Sequence, residues 1–248
     1  MKKNTMMRIA SLLLVCVLAT TCGISGTFAK YVTTADGNDS ARVAKWGVIV
    51  GVTGSDLFKN EYTNTTNGVT VNSLDDADVV APGTSSDETT AMTFEVKGQP
   101  EVKVNIAFAL ENVQDVVLKA GTYTDYTKVT GYDVGGNPTY GEFTIADDYN
   151  PVKFTLKRNG AAVAGCIDVT LADIKDYLEN TATTTVDAET NLDDAFGDYT
   201  LTWYWDFDGN DAADTLLGNL AAGIATVAAE KYCLTVSYKL TITATQVD

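Results

Sequence analysis

The sequence predicts a mainly β protein: a jelly-roll-like, two-sheet β-sandwich with short helices in its connections. Three features carry that reading. Apolar side chains fall on alternate positions in six or more segments, the period of a strand with one buried face. Clusters of Gly, Pro and Asn punctuate those segments, and few stretches have helical spacing.

In chain order, residues 41–50 end in Trp46-Gly47-Val48-Ile49-Val50, too β-branched for a helix, and read as the first core strand. Residues 53–90 are rich in Thr, Asn, Asp, Ser and Gly, with a turn at Ala81-Pro82-Gly83-Thr84. They read as loops with one or two short strands. Met92-Thr93-Phe94-Glu95-Val96-Lys97 alternates, and so does the run from 102 to 110. The short Gly98-Gln99-Pro100 link predicts that these two form an antiparallel hairpin. Residues 111–150 read as irregular and tyrosine-rich, turning at Gly135-Gly136-Asn137-Pro138.

Val152-Lys153-Phe154-Thr155-Leu156-Lys157 is the next strand, closed by the hairpin signal Arg158-Asn159-Gly160. Leu171, Ile174, Tyr177 and Leu178 share one face of a short helix, with Thr170 as its N-cap. Leu201, Trp203 and Trp205 alternate on a strand and are read as core, with Tyr204 on the solvent side. Residues 211–231 are alanine-rich and partly helical. A final long strand carries Tyr232, Leu234, Val236, Tyr238, Leu240 and Ile242 on one face.

The N-terminus has the layout of a secretory signal peptide. Lys2, Lys3 and Arg8 are basic, residues 9–24 are apolar and uncharged, and Thr27 and Ala29 stand at −3 and −1 of a cut before Lys30. An uncleaved anchor is the alternative, since a span needs about 20 residues. Against it, Thr20, Thr21, Gly23, Ser25 and Gly26 make the second half polar. A lipoprotein reading would use Cys22, but Thr21 suits a lipobox poorly. The expected organisation is a leader at 1–29, an N-terminal arm at 30–40 and a sandwich domain at 41–248, with the mature chain secreted or at the cell surface.

Losing the leader removes three positive charges and no acidic ones, taking the formal charge from −16 to −19. Such a chain repels nucleic-acid phosphates and anionic lipid, so neither nucleic acid nor stable membrane insertion is expected. There is no histidine, which removes His-dependent triads, His general bases and His-ligated zinc. No glycine-rich phosphate loop follows a strand, and no pair of carboxylates stands out for glycoside chemistry. No enzyme and no obligatory cofactor are expected.

Asp206-Phe207-Asp208-Gly209-Asn210-Asp211, with Asp214 beyond, resembles the start of a calcium loop without EF-hand order. Asp206, Asp208, Asn210 and Asp214 are the candidate Ca2+ ligands. The plainer reading is a polar turn in which Asn210 or Asp211 caps the following helix. Cys166 and Cys233 remain in the mature chain. They either form one disulfide, worth about 4 kcal/mol on the chain-entropy model, or stay as two free thiols.

Several segments taken together resemble the TasA/camelysin-like proteins of Gram-positive bacteria, which a dedicated signal peptidase, SipW, processes. They are Gly26-Thr27-Phe28-Ala29-Lys30-Tyr31, Asp39-Ser40-Ala41-Arg42-Val43-Ala44-Lys45-Trp46, Ala81-Pro82-Gly83-Thr84-Ser85, Gly98-Gln99-Pro100-Glu101-Val102, Pro151-Val152-Lys153-Phe154-Thr155-Leu156, Trp203-Tyr204-Trp205 with Asn210-Asp211-Ala212-Ala213-Asp214-Thr215-Leu216-Leu217-Gly218, and the closing run from Leu240. The resemblance implies a secreted fibre subunit of a biofilm matrix. Its freed arm (Lys30, Tyr31, Val32, Thr33, Thr34 and on to residue 36) would lend a strand to the next copy. It also implies a SipW-type peptidase as export partner. Camelysin has been classed as a metalloprotease, but this sequence has no zinc-protease motif and that activity is not carried over. The competing expectation is a monomeric surface adhesin or binding module, suggested by the Trp and Tyr content and residues 111–150; a carboxylate hydrolase is the third.

Overall fold

The computed structural model describes residues 42–54, 57–64, 66–86 and 91–247. The leader, its cleavage positions Thr27, Ala29 and Lys30, and the arm residues Tyr31, Val32, Thr33 and Thr34 lie outside the described residues. The chain divides into Met1–Trp46 and Gly47–Asp248, and the sandwich is built within the second unit.

In chain order the strands are β1 (Val48–Thr53), β2 (Glu61–Asn64), β3 (Val69–Asn72), β4 (Met92–Gly98), β5 (Val104–Gln114), β6 (Val117–Leu118) and β7 (Gly121–Tyr132). They continue as β8 (Pro138–Ile145), β9 (Val152–Arg158), β10 (Ala161–Ala162), β11 (Thr184–Val186), β12 (Asp198–Trp205), β13 (Tyr232–Cys233) and β14 (Ser237–Gln246). The α-helices are short: α1 (Leu171–Tyr177), α2 (Leu192–Phe196) and α3 (Asp211–Ala221).

Two antiparallel sheets make the sandwich. One has the order β1-β4-β12-β9-β10 and the other β11-β5-β14. Alternation decides the inner faces: Phe94 and Val96 of β4, Tyr199, Leu201 and Trp203 of β12, and Ile106, Phe108 and Leu110 of β5 are each at most 2% exposed. The layers meet through aromatic rings. Phe94 stacks on Tyr199 with centroids 4.9 Å apart, and Phe108 from the other sheet approaches both, at 6.0 and 5.8 Å.

Several expected elements form as read. Asn159 and Gly160 take φ of 52° and 77°, turning β9 into β10 as a two-residue hairpin. Thr170 caps α1 in a capping box with Asp173, and Asp115 adds a second acceptor, taking the Leu171 N–H at 3.0 Å. Leu171, Ile174 and Leu178 are buried, as the helical spacing predicts, and Trp203 and Trp205 are core.

Four expectations are corrected. β4 and β5 do not form a hairpin: they lie in different sheets, and residues 99–103 carry the chain from one layer to the other. The turn needs Gly98, whose φ is 109° and whose missing Cβ would stand 2.0 Å from the Gly47 carbonyl oxygen. Residues 111–150 are not irregular but continue β5 and form β6 and the long β7–β8 ladder. The last strand is two strands: β13 pairs with β6, then the chain changes partner and β14 pairs with β5, with a register shift between Ser237 and Lys239. Finally, β1 starts at Val48, not at residue 41, and it is a margin rather than a core strand.

Candidate functional site

Among the described residues, β9 and β5 are capped along one side of the two sheets, while β1 and β14 are unpaired along the other. On the closed side, the backbone of residues 163–169 bonds β9 beyond β10: Leu156 N–H donates to Cys166 O at 2.9 Å, and Phe154 exchanges bonds with Val169. On the same side β11 covers Val104–Ile106 of β5, and side chains take over after it. Thr183 Oγ1 accepts the Phe108 N–H at 2.9 Å, Glu179 accepts that of Leu110 at 3.1 Å, and Lys175 donates to Leu110 O at 3.0 Å. The backbone groups of Phe154, Leu156 and Leu110, and the Phe108 N–H, thus each have a partner on this side.

On the open side, β1 and β14 are the margins, and no described strand pairs with the outer edge of either. Residues opposite each other in an antiparallel pair share a face. Val50 stands opposite Val96 and Val52 opposite Phe94, so both valines point into the sandwich. Yet they are 40% and 48% exposed, against 0% and 2% for their partners one strand in. In the same way Leu240 and Ile242 of β14 lie opposite Leu110 and Phe108 but stay half-buried.

Between the margins runs an apolar groove of about 380 Å3 lined by Val52, Phe58, Met92, Val236, Tyr238 and Leu240. Burial pushes the Tyr238 hydroxyl up to about 12, so it stays protonated and donates to Met92 Sδ at 3.3 Å. This arrangement offers unpaired main-chain groups beside apolar recesses, which is what an added strand requires.

The acidic turn is placed differently from a cation cage. Asp206 and Asp208 are exposed and line an open polar cleft of about 470 Å3. Asn210 occupies the N-cap position of α3, but its side chain makes no capping bond there. Asp214, one turn on, points the other way. Its Oδ1 accepts the Tyr149 hydroxyl at 2.7 Å and the Trp205 Nε1–H at 3.2 Å. Burial holds its carboxyl above the usual range, and beside it the Tyr149 hydroxyl is pushed well up, first by burial and then by the carboxylate. Among the described residues no three Cys, Asp or Glu side chains converge as metal ligands.

Cys166 and Cys233 are both free thiols. Cys166 is 1% exposed, and burial raises its pKa, which keeps it unreactive; Cys233 is half-buried in β13 and contacts Thr235 O. No described helix is long and apolar enough to cross a membrane.

The exposed inward valines are the feature that sequence reading missed. The signal was present: Val48-Ile49-Val50-Gly51-Val52 is apolar on both faces, which suits neither a half-solvated strand nor a loop. No protein-family model, curated protein or solved structure matches the chain.

Proposed function

We propose that this chain is a secreted structural protein that assembles into extracellular fibres, each copy receiving a strand from its neighbour at the open margin between β1 and β14. The observation that carries this reading is the exposure of Val50 and Val52 on a face where the next strand inward is fully buried. A strand laid along β1 or β14 would cover those valines and satisfy the edge's N–H and C=O groups.

The occupant is the N-terminal segment of a second copy, led by Lys30, Tyr31, Val32, Thr33 and Thr34 after the leader is removed. It is short enough to lie along one margin strand and contains no proline, so it can donate at every position. Tyr31 and Val32 supply its apolar content. Because the donated segment and the receiving groove are different surfaces of the same chain, the contact is head-to-tail and propagates rather than closing into a dimer. Export through a SipW-type peptidase would free the arm, and the high negative charge would keep unassembled subunits soluble. The function needs no catalytic group and no cofactor.

Electron microscopy of the mature chain, residues 30–248, beside a chain lacking residues 30–36 tests the reading. Fibres are expected from the first and not from the second. If both remain monomeric across salt, acid pH and concentration, fibre assembly is excluded.

A further inference from the structure

We infer that the polar cleft beside β2 and the acidic turn is a binding site for a neutral oligosaccharide. This goes beyond fibre assembly and does not depend on it. The cleft is lined by Asn64, Asn67, Ser85, Asp206, Phe207 and Asp208 among others. It continues into a second polar cleft of about 390 Å3 that shares Asn64 and Ser85 and runs past Thr63 and Thr66 towards Lys59. The two clefts share Asn64, Thr84 and Ser85, so a ligand with several units can reach from one into the other.

Its floor is fixed. Gly83 donates its N–H to Trp205 O at 2.9 Å, and its carbonyl accepts both side-chain amides, from Asn64 at 3.0 Å and Asn67 at 3.2 Å. Thr84 behind it is 1% exposed and bonds reciprocally with Ala81. Gly83 sits at φ 83°, and a Cβ there would stand 2.8 Å from Asn67 Nδ2 and 3.0 Å from the Phe207 ring. The glycine therefore lets an amide and an aromatic ring close on the same backbone. A site held this firmly by its supporting bonds meets a ligand without reorganising.

The groups left over match one ligand class. Phe207 is 49% exposed and offers ring surface at the cleft. A single exposed aromatic is ordinary on any surface. Here it is flanked by Asp206 and Asp208, neither of which forms an ion pair among the described residues, and by the exposed Ser85 hydroxyl. The cleft is thus rich in acceptors and displays an aromatic face beside them. A sugar ring presents the complement: hydroxyl donors around its rim and apolar C–H groups on its face. Anionic glycans are disfavoured by the two carboxylates and the acidic chain. A basic peptide would meet Asp206, Asp208 and Glu61, but the Lys59 ammonium in the second cleft opposes it, whereas a neutral chain meets no like charge in either cleft.

The test titrates the mature chain with cellohexaose, chitohexaose, maltohexaose, xylohexaose and mannohexaose, by calorimetry and by intrinsic tryptophan fluorescence, to which Trp205 at the cleft wall contributes. Hexalysine and CaCl2 serve as competing probes. At least one hexaose is expected to bind, and Phe207→Ala and Asp208→Asn are each expected to weaken it about ten-fold, some 1.4 kcal/mol, with unchanged melting temperature. Absence of binding to all five sugars, binding unaffected by both substitutions, or binding of hexalysine or Ca2+ alone would overturn the inference.

Discussion

The Glu179 carboxylate accepts the backbone N–H of Leu110 at 3.1 Å, in the place where a further strand would otherwise pair with β5. Lys175 bonds both to Glu179 and to the Leu110 carbonyl, so two side chains one helical turn apart stand in for a strand. Side chains and a short strand therefore cap β5 on one side of the sandwich, while no described strand covers β1 or β14 on the other. Capping β5 in this way steers a neighbour's backbone away from that edge and towards the β1–β14 side.

Removing that side-chain cap has a defined cost. Glu179→Ala leaves the N–H of Leu110, a residue 1% exposed, without its acceptor, and a loss of about 1–3 kcal/mol in urea denaturation at pH 7 is expected. Lys175 foremost, through its hydrogen bond, holds the Glu179 pKa below the usual glutamate value. A lowered folded pKa stabilises above the unfolded value of about 4.3 and ceases to do so as pH falls through the folded one. The gap between wild type and Glu179→Gln is accordingly expected to narrow below about pH 4.3.

Asp214 carries the opposite sign. Its folded pKa is raised, chiefly by burial, so its charge costs stability at neutral pH, and that cost fades as pH falls through the folded pKa towards the unfolded value near about 3.9. Asp214→Asn keeps an oxygen for Tyr149 and Trp205 and cannot ionise. Wild type is expected to gain stability relative to this variant between pH 7 and about pH 4. Asp214→Ala strands both donors and is expected to cost about 2–4 kcal/mol, read by urea denaturation.

What could be read from the sequence was what local geometry decides. Phe94, Phe108, Phe154 and Trp203 each sit in an alternating run, and each is buried. Thr170 and Asp173 announce α1, and Asn159-Gly160 announces its hairpin, because caps and tight turns are made by residues within a few positions of each other. Partner choice is not local. Gly98 ends β4 and Val104 begins β5 across a link short enough for a hairpin, yet the two strands enter opposite layers because β4 finds β12 and β1 while β5 finds β14. The β7–β8 ladder escaped notice because Thr124, Lys128, Thr130 and Glu142 leave it polar on both faces, so no alternation survives. The acidic turn was visible as a cluster, but Tyr149, which draws Asp214 out of it, lies 65 residues away.

The Gly98–Gly47 contact separates steric from conformational cost. Gly98→Ala drives a Cβ to 2.0 Å from the Gly47 carbonyl oxygen, which would have to shift β1 against β4. Gly209 has a similar φ, 118° against 109°, but nothing within 4 Å of its Cβ position. Gly209→Ala is expected to cost about 1 kcal/mol from backbone strain alone, and Gly98→Ala about 3 kcal/mol or more. Equal urea midpoints for the two would contradict the tight β1–β4 approach.

Val52 decides whether the open margin is the assembly contact. It is half exposed although it faces inward opposite Phe94, so a lysine there can run its stem along the groove and keep its ammonium in water. Stability is expected to change by less than about 0.5 kcal/mol, as for an ordinary surface position. An incoming strand, however, would have to bury that ammonium against apolar side chains, the device by which edges resist pairing. Val52→Lys should therefore fold normally and form no fibres. Ile49→Lys supplies the control: Ile49 is 62% exposed on the opposite face of β1, beside Lys97, and the same charge there leaves the groove untouched. Fibres from Ile49→Lys and none from Val52→Lys tie assembly to the inner face of the margin; equal fibre yields from both would place the contact elsewhere.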